Sequence, residues 1–243
     1  VYIERYAPVD EDALLHLEHL LTTRQTHRVE AGRVLLQTRL SLLELEVEVT
    51  ESPAPADAAG AEVLVEHYLG RPRHALWPAK TLDPELGRMV VAFRHMPDLG
   101  SDEERAANAS DVYRWLLRTA VQLANDESGL MHLNPGDIVA TALGHNLLAR
   151  LDARLPWRVP LAGGKRWKVR YSERGEVRLS APMQAFFGFK EAPAFGDGRC
   201  PVRLELLAPN QRPVQVTQDL GSFWAQHYPT LRRQLMRRYP RHA

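Results

Sequence analysis

Hydrophobic and polar residues alternate along this chain in three successive rhythms. Residues 13–21, ALLHLEHLL, repeat leucine at helical spacing and predict one short helix. After it the period drops to two. His27 to Glu30 and Arg33 to Thr38 flank Ala31-Gly32, a tight-turn pair, and Leu43, Leu45, Val47 and Val49 alternate with Glu44, Glu46, Glu48 and Thr50. That pattern predicts strands with one wet face. We read residues 26–50 as the closing strands of a small β-barrel or sheet, with its earlier strands expected upstream. Residues 51–60, ESPAPADAAG, set two prolines among small residues and read as a linker.

From 61 to 156 the helical period dominates. Ala61 to Leu69 forms one segment, closed by Gly70 and Pro72, and Pro84 to His95 forms another, closed by Pro97. Ser101 with Glu104 fits a capping box, opening a helix along which Val112, Trp115, Leu116, Thr119 and Leu123 share a face before Gly129 stops it. Asn134 followed by Pro135 starts a further helix, where Ile138, Ala142, Leu147, Leu151 and Leu155 line one stripe and Gly144 interrupts it. The region reads as a small helical bundle.

After Pro156 the period returns to two. In RWKVRY, residues 166–171, Trp167, Val169 and Tyr171 alternate with Arg166, Lys168 and Arg170, which gives a strand with an apolar and a basic face. Glu176 to Ser180, Val202 to Leu206 and Val214 to Val216 alternate similarly, with turns at Ser172 to Gly175 and Gly196 to Gly198. Two helices close the chain. The first runs from about Asp219 through Trp224 and is interrupted at Pro229; the second contains Leu231, Leu235 and Tyr239. Trp224, placed between Phe223 and an apolar helix face, is expected in the core. The fold class is therefore α+β: a partial OB-like β unit with a leading helix over 1–55, a helical region over 56–157, and a basic C-terminal domain of mixed sheet and helices over 158–243.

Composition adds an asymmetry. The chain of 243 residues holds 31 lysines and arginines against 30 acids. Over residues 160–243 the count is 15 against 6, a net of +9, which leaves 16 against 24, or −8, for the rest. A basic end of this kind attracts polyanions; a solvated surface balancing the acidic half is the other reading. With 44% hydrophobic and 25% charged residues the chain has the make-up of an ordinary globular protein. No apolar run approaches the ~20 residues of a membrane span, and the first residues lack a signal-peptide layout, so we expect a soluble, cytoplasmic protein without a membrane partner. A first residue of Val rather than Met marks the chain as an expected fragment.

Catalytic motifs are sparse. There is no G-x-x-x-x-G-K-[ST] loop and no Asp-Glu-Ala-His box. Gly163-Gly164-Lys165 has the ending of a phosphate loop, but Arg166 stands where a Mg²⁺-ligating hydroxyl is needed, so the segment reads as the turn into RWKVRY. His16 and His19 lack a third metal ligand at useful spacing, Cys200 has no local partner, and Glu44, Glu46 and Glu48 read as a solvent face. The basic residues carry more. Lys165, Arg166, Lys168 and Arg170 cluster around Trp167, while Arg232, Arg233, Arg237 and Arg238 crowd one acid-free helix. Guanidinium groups so spaced engage successive phosphates, or else pin the helix to acidic surfaces of the same protein.

A more specific signal lies in LLAPNQRPVQVTQDLGSFWAQHYPTLRRQLMRRYPRH, residues 206–242. Its Arg212-Pro213-Val214-Gln215-Val216-Thr217, Asp219-Leu220, Phe223-Trp224 and Arg238-Tyr239-Pro240 closely resemble the end of HrpB-type bacterial DEAH-box ATP-dependent RNA helicases. The resemblance continues upstream through MQAFFGFKEAP (183–193), Arg170-Tyr171-Ser172, Leu147 to Leu155 and RMVVAFRHMPDLGSDE (88–104). It reaches loosely to RVEAGRVLLQTRLSLLELEV (28–47), which is similar to the late strands of the family's OB-like barrel. Leu143-Gly144-His145 departs from the Leu-Pro-Trp-like stretch expected there. The resemblance implies an accessory region separated from its motor domains, which would hold ATP and Mg²⁺; no cofactor and no catalytic residue are expected in these residues. The partners it implies are single-stranded RNA or other nucleic acid and the motor domains of the parent chain. The nucleic-acid-binding residues we expect are Lys165, Arg166, Lys168, Arg170, Arg212, Arg232, Arg233, Arg237 and Arg238.

Overall fold

A computed structural model describes residues 18–54, 58–99, 109–124 and 126–238, with the side chains of Glu18 and Arg238 left out. Most of the predicted first helix, His16, the Ser101 and Glu104 capping box, the Arg238 side chain, Tyr239 and Pro240 lie outside the described residues. The chain divides into two compact units, residues 1–71 with 121–131 and residues 72–120 with 132–243.

The first unit contains strands β1 (Leu21–Glu30), β2 (Arg33–Leu42) and β3 (Leu45–Pro53) in an antiparallel sheet of order β1-β2-β3. The Ala31-Gly32 turn forms as expected, with both residues at positive φ, 49° and 75°, the geometry that matches strand twist in a two-residue hairpin. Gly32 is also needed for space, because a side-chain carbon there would lie 2.5 Å from the Glu127 backbone nitrogen. Two boundaries differ from the sequence reading. Glu18–Leu20 is only a 3₁₀ turn before β1, and the expected linker is short, since β3 extends to Pro53 and helix α1 (Ala58–Leu69) begins soon after. The single apolar face expected for β3 does not form: a register shift leaves Val47 without an opposite residue, Leu45 lies opposite Leu42 and Val49 opposite Arg39, so Leu45 and Val49 fall on different faces, and Leu45 is 68% exposed, Val47 40% and Val49 41%. Arg71 after α1 pairs with Glu127 at 2.6 Å.

The second unit holds the main core. Helix α2 (Ala79–His95) begins five residues before the predicted Pro84, which sits inside it. Lacking an N–H, Pro84 leaves the Lys80 carbonyl without its helical donor. Residues Leu82, Leu86, Met89, Val90 and Phe93 of α2 are buried, beside Val112 and Leu116 of α3 (Ala109–Leu123). Leu123 departs from the expected face and is 44% exposed. Helix α3 ends there, and Gly129 lies within α4 (Glu127–His132) rather than terminating a longer helix. Helix α5 (Pro135–Arg154) starts as predicted: the Asn134 side chain accepts from the Gly136 N–H at 2.9 Å and Pro135 takes the first position. Gly144, at φ 69° and ψ 172°, kinks it, and Ala142 is exposed although Ile138, Leu151 and Leu155 are buried.

Five strands follow, β4 (Arg158–Pro160), β5 (Arg166–Tyr171), β6 (Val177–Pro182), β7 (Val202–Leu207) and β8 (Pro213–Thr217), in spatial order β4-β5-β6-β7-β8. All neighbours are antiparallel except β6 and β7, so the sheet is mixed. Val169, Tyr171, Val177, Leu179, Leu204 and Leu206 fill its inner face. Arg88 of α2 is the buried charge beside it: it donates to the Leu155 carbonyl at 2.9 Å and to Asp152 at 2.5 Å, and its guanidinium lies 4.7 Å from the Trp157 ring centre. The chain ends in a short turn (Leu220–Ser222), a π-helical turn (Phe223–His227) and helix α6 (Tyr228–Arg238). Pro229 does not interrupt this run; it is the second residue of α6 and follows directly on the π turn.

Candidate nucleic-acid interface

Strand alternation sorts β5 as the sequence predicts. Val169 and Tyr171 point into the core, Trp167 is half-buried, and Arg166, Lys168 and Arg170 are exposed. Lys165 precedes them with its Nζ 4.5 Å from the Trp167 ring centre. Gly163 and Gly164, at φ 79° and 74°, form the turn into β5, closed by the Gly164 N–H donating to the Leu161 carbonyl at 3.1 Å.

Pairing register extends this basic strip across the sheet. Arg158 of β4 lies opposite Lys168, and Arg170 lies opposite Arg178 of β6, which in turn neighbours Arg203 of β7. Directly opposed residues share a face, so six cations, Arg158, Arg166, Lys168, Arg170, Arg178 and Arg203, occupy the outer side of β4 to β7. The sequence reading missed Arg158, Arg178 and Arg203. The alternation of Arg178 and Arg203 with buried Val177, Leu179, Val202 and Leu204 was the available signal.

Among the described residues, acids pair with the cations of this face on one side. Glu176 pairs with Arg178 at 2.9 Å and with Arg203 at 3.5 Å, and the Arg178 hydrogen bond, with Arg203 adding to it, holds its carboxyl below the usual carboxylate range. The Ser180 hydroxyl donates to Glu205. Arg158, Lys165, Arg166, Lys168 and Arg170 form no ion pair among the described residues. The β4–β5 side therefore keeps its cations out of ion pairs, with Asp83 and Glu85 of α2 lining the hollows beside them.

Two adjoining hollows of about 350 and 270 Å³ border this strip and share Pro84, Trp157 and Lys168. Lys80, Arg158 and the half-buried Glu85 line the first, Arg170 and Asp83 the second. Burial pushes the Glu85 carboxyl above its ordinary value; Arg88 opposes that shift, and Asp152 and Asp137 reinforce it. An aromatic ring flanked by cations at an open groove is the arrangement that binds unpaired bases and their phosphates.

The remaining expected residues lie on other elements. Arg212 is exposed in the β7–β8 turn, at the same end of the sheet as Arg166 and three strands away, roughly 14 Å at ordinary strand spacing. Arg232, Arg233 and Arg237 are exposed on α6 and make no ion pair among the described residues. They are not part of the β5 cluster. Cys200 is buried, which pushes its thiol up to about 11, away from any nucleophilic role. No helix of the described residues is long and apolar enough to cross a membrane.

An α+β arrangement with this mixed sheet is that of a helicase C-terminal region. Residues 115–243 match the family model HrpB_C, described as ATP-dependent helicase C-terminal, and the chain belongs to that family. Over 170 residues, 69% of the chain, it is 32% identical to the ATP-dependent RNA helicase HrpB of Escherichia coli (strain K12), of which it spans 20%. The crystal structure of E. coli DExH-box NTPase HrpB superposes with a TM-score of 0.63 at 27% identity, over 97% of this chain and 30% of that one. The crystal structure of Escherichia coli DEAH/RHA helicase HrpB gives 0.57 at 27% identity, over 91% and 28%. The chain thus spans less than a third of each of these relatives.

Proposed function

We propose that the chain is the accessory part of an ATP-dependent RNA helicase and that it guides single-stranded nucleic acid along the outer face of its five-stranded sheet. The observation that carries this reading is the exposed row Arg166, Lys168 and Arg170, anchored by inward Val169 and Tyr171 and free of ion pairs among the described residues. Cations fixed on a strand at every second residue form a rigid track for phosphates, and binding releases condensed counterions. Arg212, Arg232, Arg233 and Arg237 extend the basic surface beyond the sheet. ATP and Mg²⁺ belong, on this reading, to motor domains of a parent chain, and we assign no catalytic step to these residues.

Fluorescence polarisation with a labelled single-stranded RNA tests this directly. Binding that weakens steeply as salt rises supports it; absence of binding at low salt rejects it.

A second reading is favoured by the exposed apolar residues of β3, Leu45, Val47 and Val49. Here the three-stranded sheet is part of an OB-like barrel, and the chain braces the motor without holding nucleic acid itself. It predicts binding to a separately produced motor together with negligible RNA affinity.

A further inference from the structure

Away from the basic sheet face, the turn after β6 and the π-helical turn build an aromatic groove. The 3₁₀ turn Met183–Phe186 buries Phe186, and the next ring, Phe187, is 43% exposed. Gly188 follows at φ 86° with open space beside it. The wide Phe223–His227 turn, closed by the Tyr228 N–H on the Phe223 carbonyl, turns Phe223 into the core. It also leaves Trp224 and Tyr228 half-buried on the same side as Phe187. Such π turns recur at functional positions in helices.

Phe187, Gly188, Phe189, Lys190, Trp224 and Tyr228 line a hollow of about 400 Å³. The Phe187, Trp224 and Tyr228 rings lie 5.1 to 5.9 Å apart at 57° to 83°. None is stacked face to face on another, so the cluster leaves ring surface for a flat guest. The Trp224 indole N–H is already committed to the Phe189 carbonyl at 2.8 Å, which makes the groove a stacking surface with little base-edge readout. Its borders are cationic: Lys190 lines it, and Arg232 and Arg233 stand one turn beyond Tyr228 on a helix without an acidic residue.

We propose that this groove stacks one unpaired nucleobase of single-stranded nucleic acid, with Lys190 and Arg232 beside the flanking phosphates. The assignment rests on the reading of the chain as a nucleic-acid guide and adds a place for a base to the phosphate track on the sheet. An apolar peptide would fill the same volume, but the cationic rim favours a polyanion.

The test uses the 243-residue chain with two labelled oligonucleotides of equal length, oligo(U) and a fully abasic strand with the same phosphates. The wild type should prefer oligo(U). Phe187→Ala and Phe187→Leu should each weaken oligo(U) binding by about 5- to 150-fold, the range for loss of one stacked base. Neither should change abasic binding or the salt slope. The leucine variant keeps an apolar side chain, so folding is preserved if alanine disturbs it. If wild type binds both strands equally, or if either variant keeps full oligo(U) affinity as an apolar docking site would, the stacking site is overturned. Salt-dependent binding surviving that result leaves the sheet track standing. Failure of the wild type to bind either strand overturns both.

Discussion

Glu176 accepts two hydrogen bonds from the Arg178 guanidinium, at 3.3 Å from Nε and 2.9 Å from Nη2. With Arg203 on its other oxygen, this one carboxylate withholds two cations from the basic face. Glu176→Gln should therefore tighten single-stranded RNA binding and steepen its salt dependence by about 0.7 for each arginine freed to meet a phosphate. A polarisation titration at several salt concentrations reads both quantities. Weaker binding by the variant would mean that the arginines need Glu176 to hold them in place.

Glu85 is a group whose ionisation works against the fold. Its carboxyl is raised by burial, so between its unfolded and folded pKa the native state keeps a proton that the unfolded chain has released, and stability falls as pH rises through that window. Glu85→Gln removes this dependence. The variant should melt at a higher temperature than wild type at pH 7, and the gain should vanish below about pH 4, where the carboxyl is protonated in both states. A lower Tm at pH 7, or a difference independent of pH, would contradict this.

Gly87 sits in the middle of α2, where an alanine would normally add up to about 1 kcal/mol of stability. Here its added carbon would meet the Tyr171 carbonyl oxygen at 2.3 Å, backbone that cannot rotate away. Gly87→Ala should instead cost about 1–3 kcal/mol, the range for overpacking. Gly129 in α4 is exposed and has only ordinary neighbours, so Gly129→Ala should be neutral or stabilising. Urea denaturation of the two variants checks the opposite signs.

What the sequence made legible follows the range of the interactions involved. The β5 strand was readable because three inward and three outward residues alternate within six positions, and the α5 start because Asn134 and Pro135 act on their own neighbours. Pro84 and Pro229 misled for a shared reason: as a boundary signal proline does not say how many residues of helix lie ahead of it, and both lie inside helices. Trp224 was expected in the core, but the π turn re-phases the helix and gives that place to Phe223. Of the interface, the Lys165–Arg170 cluster was local and visible. Arg158, Arg178 and Arg203 come from separate segments that only strand register sets beside it, and alternation along β3 carried no sign of the register shift that puts Leu45 and Val49 on different faces.

The membership of the chain in the ATP-dependent helicase C-terminal family leaves its direct binding of nucleic acid as the central claim. The measurement that bears on it most directly is the slope of log affinity against log salt for single-stranded RNA, wild type against the combined Lys165→Gln, Arg166→Gln, Lys168→Gln and Arg170→Gln variant. If the β5 strip tracks the backbone, the slope should flatten by about 0.7 for each phosphate no longer neutralised, close to 3 in all. An unchanged slope and affinity in a folded variant would show that RNA does not lie on this face.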